Sequence, residues 1–267
     1  MALNNVASVG EAFNRLQAIF GTQQFRWFTG HLLVVLGTLF YVFSAFSFTK
    51  AYRLVYLSAM FSYGLVIYLT NQPFSLSVQY VQKVLIDDNS LYLLLATFWL
   101  FSRVLSFTLV PFFIFSLFHL AGYIRSNILP LLFPEIKKEI EEHKETKSYP
   151  AQLALALDVL KSRYYLKAIE IASFAEVSII PALIFVNFLL RNTTSYAIIA
   201  YIFFLKVKAS KSPQTRVAFG QLEKLVDSYV LTPKVPETVK TYYYKLKQFL
   251  SSVFPSTAAT AAANRSQ

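Results

Sequence analysis

The sequence predicts an all-α, multi-span integral membrane protein with flanking amphipathic helices. Of its 267 residues, 55% are hydrophobic and 17% aromatic, well above the share in an ordinary soluble domain. The apolar residues stand in long blocks rather than being scattered, which is the bilayer pattern. Shorter stretches between and after the blocks carry apolar residues at helical spacing with polar residues between them. The net charge of +11 calls for an anionic partner such as lipid headgroups, nucleic acid or an acidic protein. With no cysteine present, disulfides, Cys-ligated metal sites and thiol nucleophiles are excluded.

Residues 1–27 read as an N-terminal cytoplasmic segment. Phe13, Leu16, Ile19 and Phe20 share one face of a short amphipathic helix, and Arg26-Trp27 marks a headgroup level. The polar start and the long first apolar block argue for a signal-anchor rather than a cleavable signal peptide. Residues 28–205 form the membrane domain. A full-length span covers 28–48 and a second covers 52–69, ended by Pro73, which cannot donate a helical hydrogen bond. Residues 74–90 place Val78, Val81, Leu85 and Ile86 on one face and read as an interfacial helix. The block 91–124 exceeds one bilayer thickness and falls short of two. It is either a span at about 104–123, kinked at Pro111 with a tilted lead-in, or a re-entrant hairpin. Residues 134–149 are strongly charged and solvated. Residues 169–190 form another span, and 195–205 are too short to cross. The count is therefore about four spans, or three hairpins at 28–69, 91–124 and 169–205. Four spans send the charged 134–149 loop across the membrane. Three hairpins keep every polar segment on one side.

Residues 206–254 form a basic cytoplasmic tail, and 255–267, rich in Ala, Ser and Thr, are expected to be disordered. Its last helix, "KTYYYKLKQFLSSVF", separates two faces at 100° per residue. Val239, Tyr242, Tyr243, Leu246, Phe249, Leu250, Val253 and Phe254 fall on one side; Lys240, Lys245 and Lys247 fall on the other. That is the pattern of a helix lying in a membrane interface. Packing against protein is the bland alternative. Direct nucleic-acid binding is disfavoured, because the aromatics point away from the lysines. The buried apolar face, at about 1.5–3 kcal/mol per large side chain, outweighs the lysines, at about 1 kcal/mol each.

Ionisable residues within the apolar blocks are few: His31, Arg103, His119, Glu170 and Glu176. Burying charge in a bilayer is costly, so each is a candidate functional group. Glu176 with Arg103 or His119 as partner would be the centre of a small transporter or channel, the alternative reading. No paired acids, HExxH zinc site or Gly-rich phosphate loop is present, so no catalytic residue, metal or cofactor is expected.

Three runs resemble the transmembrane protein 33 family, which includes fungal pore-membrane nucleoporins and reticulon-associated proteins of the endoplasmic reticulum. "PFFIFSLFHLAGY" (111–123) is similar to its Pro-led span, "LKAIEIASFAEVSIIPALIF" (166–185) to its span with Glu then Pro, and "YIFFLKVKASKSPQTRVAFGQL" (201–222) to its aromatic-then-basic segment. The resemblance implies a non-enzymatic, multi-pass protein of the endoplasmic reticulum membrane and nuclear envelope; the positive-inside rule and an even number of crossings put its termini in the cytoplasm. It implies roles in membrane shaping and in nuclear pore complex assembly or distribution. The lipid bilayer, reticulon-type proteins, nucleoporins and an importin are the implied partners. The tail helix sits where the family's C-terminal amphipathic helix should be, so Lys240, Lys245 and Lys247 are expected to meet headgroups or an importin.

Overall fold

The computed structural model describes residues 9–142 and 148–254. Expectations for 1–8, 143–147 and 255–267, including the disordered end, lie outside the described residues. Every regular element among the described residues is helical. Four helices are long and apolar enough to cross a membrane: Gln23–Phe43, Thr49–Thr70, Ser106–Leu132 and Tyr149–Leu189. The chain divides into two compact units, Met1–Val104 with Phe112–Ala168, and Leu105–Pro111 with Ile169–Gln267.

In the first unit, α1 (Val9–Phe20) leads to α2 (Gln23–Phe43). The Thr22 hydroxyl accepts the backbone N–H of Phe25 at 3.2 Å, satisfying an orphan donor at the helix start. The first span therefore begins five residues before the apolar block, and Arg26-Trp27 lies inside the helix. α3 (Thr49–Thr70) returns antiparallel to α2 after a turn in which Ala45 and Phe46 adopt left-handed φ of 51° and 62°. Two glycines set the approach of this pair. A Cβ on Gly30 would lie 2.0 Å from Ser62 Oγ and 3.2 Å from the Ser58 carbonyl oxygen; one on Gly37 would lie 2.9 Å from Val55 Cγ2. Spaced seven apart, they share a face, and small residues there let two backbones come close.

α4 (Val78–Leu85) presents Val78, Val81 and Leu85 exposed, and a 69° bend leads into α5 (Asp88–Phe101). The block 91–124 is two antiparallel helices rather than one kinked span. α5 packs along α3, with Tyr92 stacked on Tyr63 at 5.7 Å and Arg53 Nη1 donating to the Trp99 carbonyl at 2.8 Å. Arg53 also donates to the Leu100 carbonyl, so a cation closes the C-terminus of α5, where orphan carbonyls and the helix dipole favour it. After an irregular link carrying Arg103 and a 3₁₀ turn (Ser106–Thr108), α6 (Leu109–Tyr123) runs back. Pro111 lies in its first turn, where a missing N–H costs little; this is why the expected kink is a helix start instead. α6 pairs with α2 in opposite sense: Ser116 meets His31 and Tyr123 stacks on Phe28 at 4.6 Å. The starts of α2 and α5 and the ends of α3 and α6 thus share one end of this unit.

α6 continues through a π turn (Ile124–Ile128) into α7 (Leu129–Leu132), followed by α8 (Ile136–Glu141). α9 (Tyr149–Val159), a π turn (Leu160–Tyr164) and α10 (Tyr165–Phe174) then form one long helix. Its early part packs beside the end of α6, where Arg125 Nε pairs with Asp158 Oδ2 at 2.9 Å.

In the second unit, a π turn (Ala175–Ile179) precedes α11 (Ile180–Leu189). Pro181 has no N–H to give, and the widened turn accommodates it. The carbonyl of Glu176 instead accepts the Tyr201 hydroxyl at 3.0 Å. After the turn at 190–194, α12 (Ser195–Lys211) packs back along α11. It runs past residue 205, so the boundary between membrane domain and tail expected at 206 falls inside a helix. α13 (Pro213–Val230) and α14 (Glu237–Val253) complete the tail.

Candidate docking surface and intramembrane polar groups

α14 forms where its periodicity places it, and its apolar face divides in two. Val239, Tyr242, Leu246, Phe249 and Leu250 are exposed, a continuous stripe with no cover among the described residues. One edge of the helix, an arc of about 40° from Tyr243 through Phe254 to Lys247 where the apolar and basic sides meet, turns towards α13. The Tyr243 hydroxyl donates to Asp227 Oδ1 at 2.6 Å, and the Phe254 ring lies 4.8 Å from that of Phe219. Val253 is half-buried.

The three lysines do not act alike. Lys247 is clasped by Glu223 at 2.7 Å and Asp227 at 2.9 Å. Lys240 pairs with Glu237 of its own helix at 2.7 Å. Lys245 is exposed and sits 5.8 Å above the Tyr242 ring, a cation–π position beside the uncovered stripe. Hydrogen bonds from Tyr243 and Lys247 hold the Asp227 carboxyl below its ordinary range. Burial, then the neighbouring Asp227, pushes the Tyr243 phenol up to about 12. Glu223 and then Asp227 raise Lys247. All three shifts favour one state, a carboxylate between a neutral phenol and an ammonium.

Among the groups in the apolar helices, Glu176 is fully buried and ion-paired with Lys208, itself 8% exposed. Sequence reasoning offered Arg103 or His119 as the partner and missed Lys208, which it had assigned to the cytoplasmic tail. The available signal was periodicity: Tyr201, Phe204, Leu205 and Lys208 recur at three- and four-residue steps on the buried face of α12. Arg103 is exposed in the link between α5 and the 3₁₀ turn. Two histidines that looked separate, 88 positions apart, lie together. The His31 and His119 ring centroids are 4.6 Å apart, His31 Nδ1 is 2.9 Å from Ser116 Oγ, and Trp27 lies edge-on 5.0 Å from His119. No cluster of three or more metal-ligating side chains occurs among the described residues.

Comparison with known proteins places this architecture. The chain is 28% identical over 256 residues to Tetra-spanning protein 1 of Schizosaccharomyces pombe, covering 92% of this chain and 90% of that protein. It is 28% identical over 247 residues to nucleoporin POM33 of Chaetomium thermophilum, covering 87% and 86%. To the pore and endoplasmic reticulum protein of 33 kDa of Saccharomyces cerevisiae it is 25% identical over 272 residues, covering 90% and 96%. No solved structure matches. The family model described as Transmembrane protein 33/Nucleoporin POM33 matches residues 10–256, and the chain belongs to that family.

Proposed function

We propose that this chain is a non-enzymatic, multi-pass protein of the endoplasmic reticulum and nuclear envelope that shapes membrane and supports nuclear pore complexes, with α14 docked on curved cytoplasmic-face membrane. The observation that carries the docking is the uncovered stripe from Val239 to Leu250, lying beside the exposed Lys245. An amphipathic helix of this kind binds an interface through its apolar area, with cations selecting anionic lipid. The clasp to α13 supports the same reading. It fixes one edge of α14 and leaves the other edge, bearing the large apolar side chains, unoccupied. Relatives named as a nucleoporin and as a pore and endoplasmic reticulum protein support the location. Nucleoporins, reticulon-type proteins and an importin are the candidate partners. Lys245 is the best placed of the three lysines to meet headgroups or an importin without first breaking an ion pair.

The test is a full-length Leu246→Asp/Leu250→Asp variant carrying a fluorescent tag. The membrane helices should still insert, while enrichment at the pore membrane is lost and the protein spreads through the reticulum. Unchanged enrichment would sink the docking role of α14. The buried countercharge of Lys208 on Glu176 supports a structural pair there over the relay of a small transporter or channel.

A further inference from the structure

The first unit carries a cleft of about 500 Å³ where the start of α2, the end of α6 and the π turn at Leu160–Tyr164 meet. Its wall has a gradient of polarity. Phe115 and Phe118 line one end and Ser126 and Asn127 the other, separated by about 15 Å along the helix axis at 1.5 Å per residue. His119 stands between them, exposed to the cleft. Lys161 also lines the cleft, about level with Gly122 and one turn from Ser126 by the register of Arg125 with Asp158, and Tyr165 contacts Phe118 edge-on at 5.1 Å. Lys161, Ser126 and Asn127 have no hydrogen-bonding or ion-pair partner among the described residues. Nearby Arg125 is already paired with Asp158, so the cation left for a ligand is Lys161.

We propose that this cleft is a binding site for an anionic phospholipid, its phosphate held by Lys161 with Ser126 and Asn127, and its acyl chain against Phe115 and Phe118. A free phosphate would use the polar end alone. The apolar end, two to three turns deeper in a membrane helix, fits an amphiphile entering from the bilayer. The site lies in the membrane domain and does not depend on the docking of α14.

Gly122 supplies a clean test. It lines the cleft, and a Cβ built on it meets nothing within 4 Å. Leucine there fills the space, and it favours helix over glycine. The full-length protein in detergent micelles is labelled with a photoreactive phosphatidic acid, and adducts are mapped by peptide mass spectrometry. Labelling should concentrate on residues 115–127 and 161–165. Unlabelled phosphatidic acid should displace it, while diacylglycerol, phosphatidylcholine and inorganic phosphate at equal concentration should not. Lys161→Ala should reduce cleft labelling about fivefold, the scale of one lysine against an anionic headgroup, and Lys161→Arg should retain it. Gly122→Leu should remove cleft labelling while the outer apolar faces label as before. Undiminished cleft labelling in both Lys161→Ala and Gly122→Leu overturns the site. Equal displacement by inorganic phosphate overturns the lipid, and equal displacement by phosphatidylcholine or diacylglycerol overturns the requirement for an anionic head.

Discussion

The clasp between α13 and α14 rests on one carboxylate. Asp227 accepts from Tyr243 and Lys247 together, and its lowered pKa means that its contribution is full above the ordinary carboxylate range and fades as pH falls through the lowered folded value. Tyr243 and Lys247 are both raised. Their contributions are full below their unfolded values, near 10, and fade as pH rises, through about 12 for the phenol. The α13–α14 contact should therefore be fully closed from mildly acidic pH to about pH 10 and loosen progressively as pH falls below the ordinary carboxylate range or rises through about 12, as read by spin-label distances across the two helices. Asp227→Asn should return the Tyr243 phenol towards 10, measured by NMR of ring-labelled tyrosine. A phenol still titrating near 12 in that variant would show that burial alone raises it. At Glu176, losing one partner of a buried ion pair costs about 3–5 kcal/mol. Glu176→Gln should lower thermal stability sharply, and adding Lys208→Met should recover most of the loss. Equal stability of the wild type and the single variant would remove the structural role given to the pair.

At the scale of elements, helix contact depends on what is missing. Gly30 and Gly37 let α3 approach α2, and a methyl group at Gly30 collides with the Ser62 hydroxyl and crowds the Ser58 carbonyl. Overpacking of this kind costs about 1–3 kcal/mol. Gly30→Ala should destabilise the full-length protein by that order in a detergent thermal-shift measurement. Gly64→Ala is its control, because a Cβ there meets open space; equal effects from the two would show that helix propensity, not close approach, is being read. Proline sets element boundaries in the same local way. Pro111 opens α6, while Pro130 and Pro181 each follow a π turn, where the widened ladder absorbs the lost N–H.

For the whole molecule, the direction of each helix decides which polar segments share a side. In the first unit α2, α3, α5 and α6 alternate in direction, so the chain leaving α6 emerges at the end where α2 begins. α5 is 14 residues long, about 21 Å at 1.5 Å per residue, less than the roughly 30 Å hydrocarbon core. We infer that α5 and α6 form the re-entrant hairpin of the three-hairpin topology, which keeps α8 on the side of α1, although Ser106–Leu132 is by itself long enough to cross. The absence of cysteine gives a clean background for labelling. Single cysteines at Glu11 and Lys138 should react with an impermeant maleimide from the same side, with the tail position Ser252 alongside them. Labelling of Lys138→Cys only after the opposite side is opened would return the four-span topology.

Sequence alone determined the helical membrane class, the presence of the apolar blocks, the tail helix and the family resemblance. Each follows from periodicity and block length, which are local properties of the chain. It also placed Val239, Tyr242, Leu246, Phe249 and Leu250 on one face, because a single helix fixes its own face at 100° per residue. Tertiary structure decided which groups meet. His31 beside His119, Lys208 against Glu176, Arg53 on the end of α5 and Asp227 between Tyr243 and Lys247 all join residues from different helices. No local pattern encodes those distances. Within the membrane helices, Glu176 and the end of α5 must find partners in a medium that supplies no water to satisfy them, whereas the Asp227 clasp is a partly exposed charge contact between two tail helices.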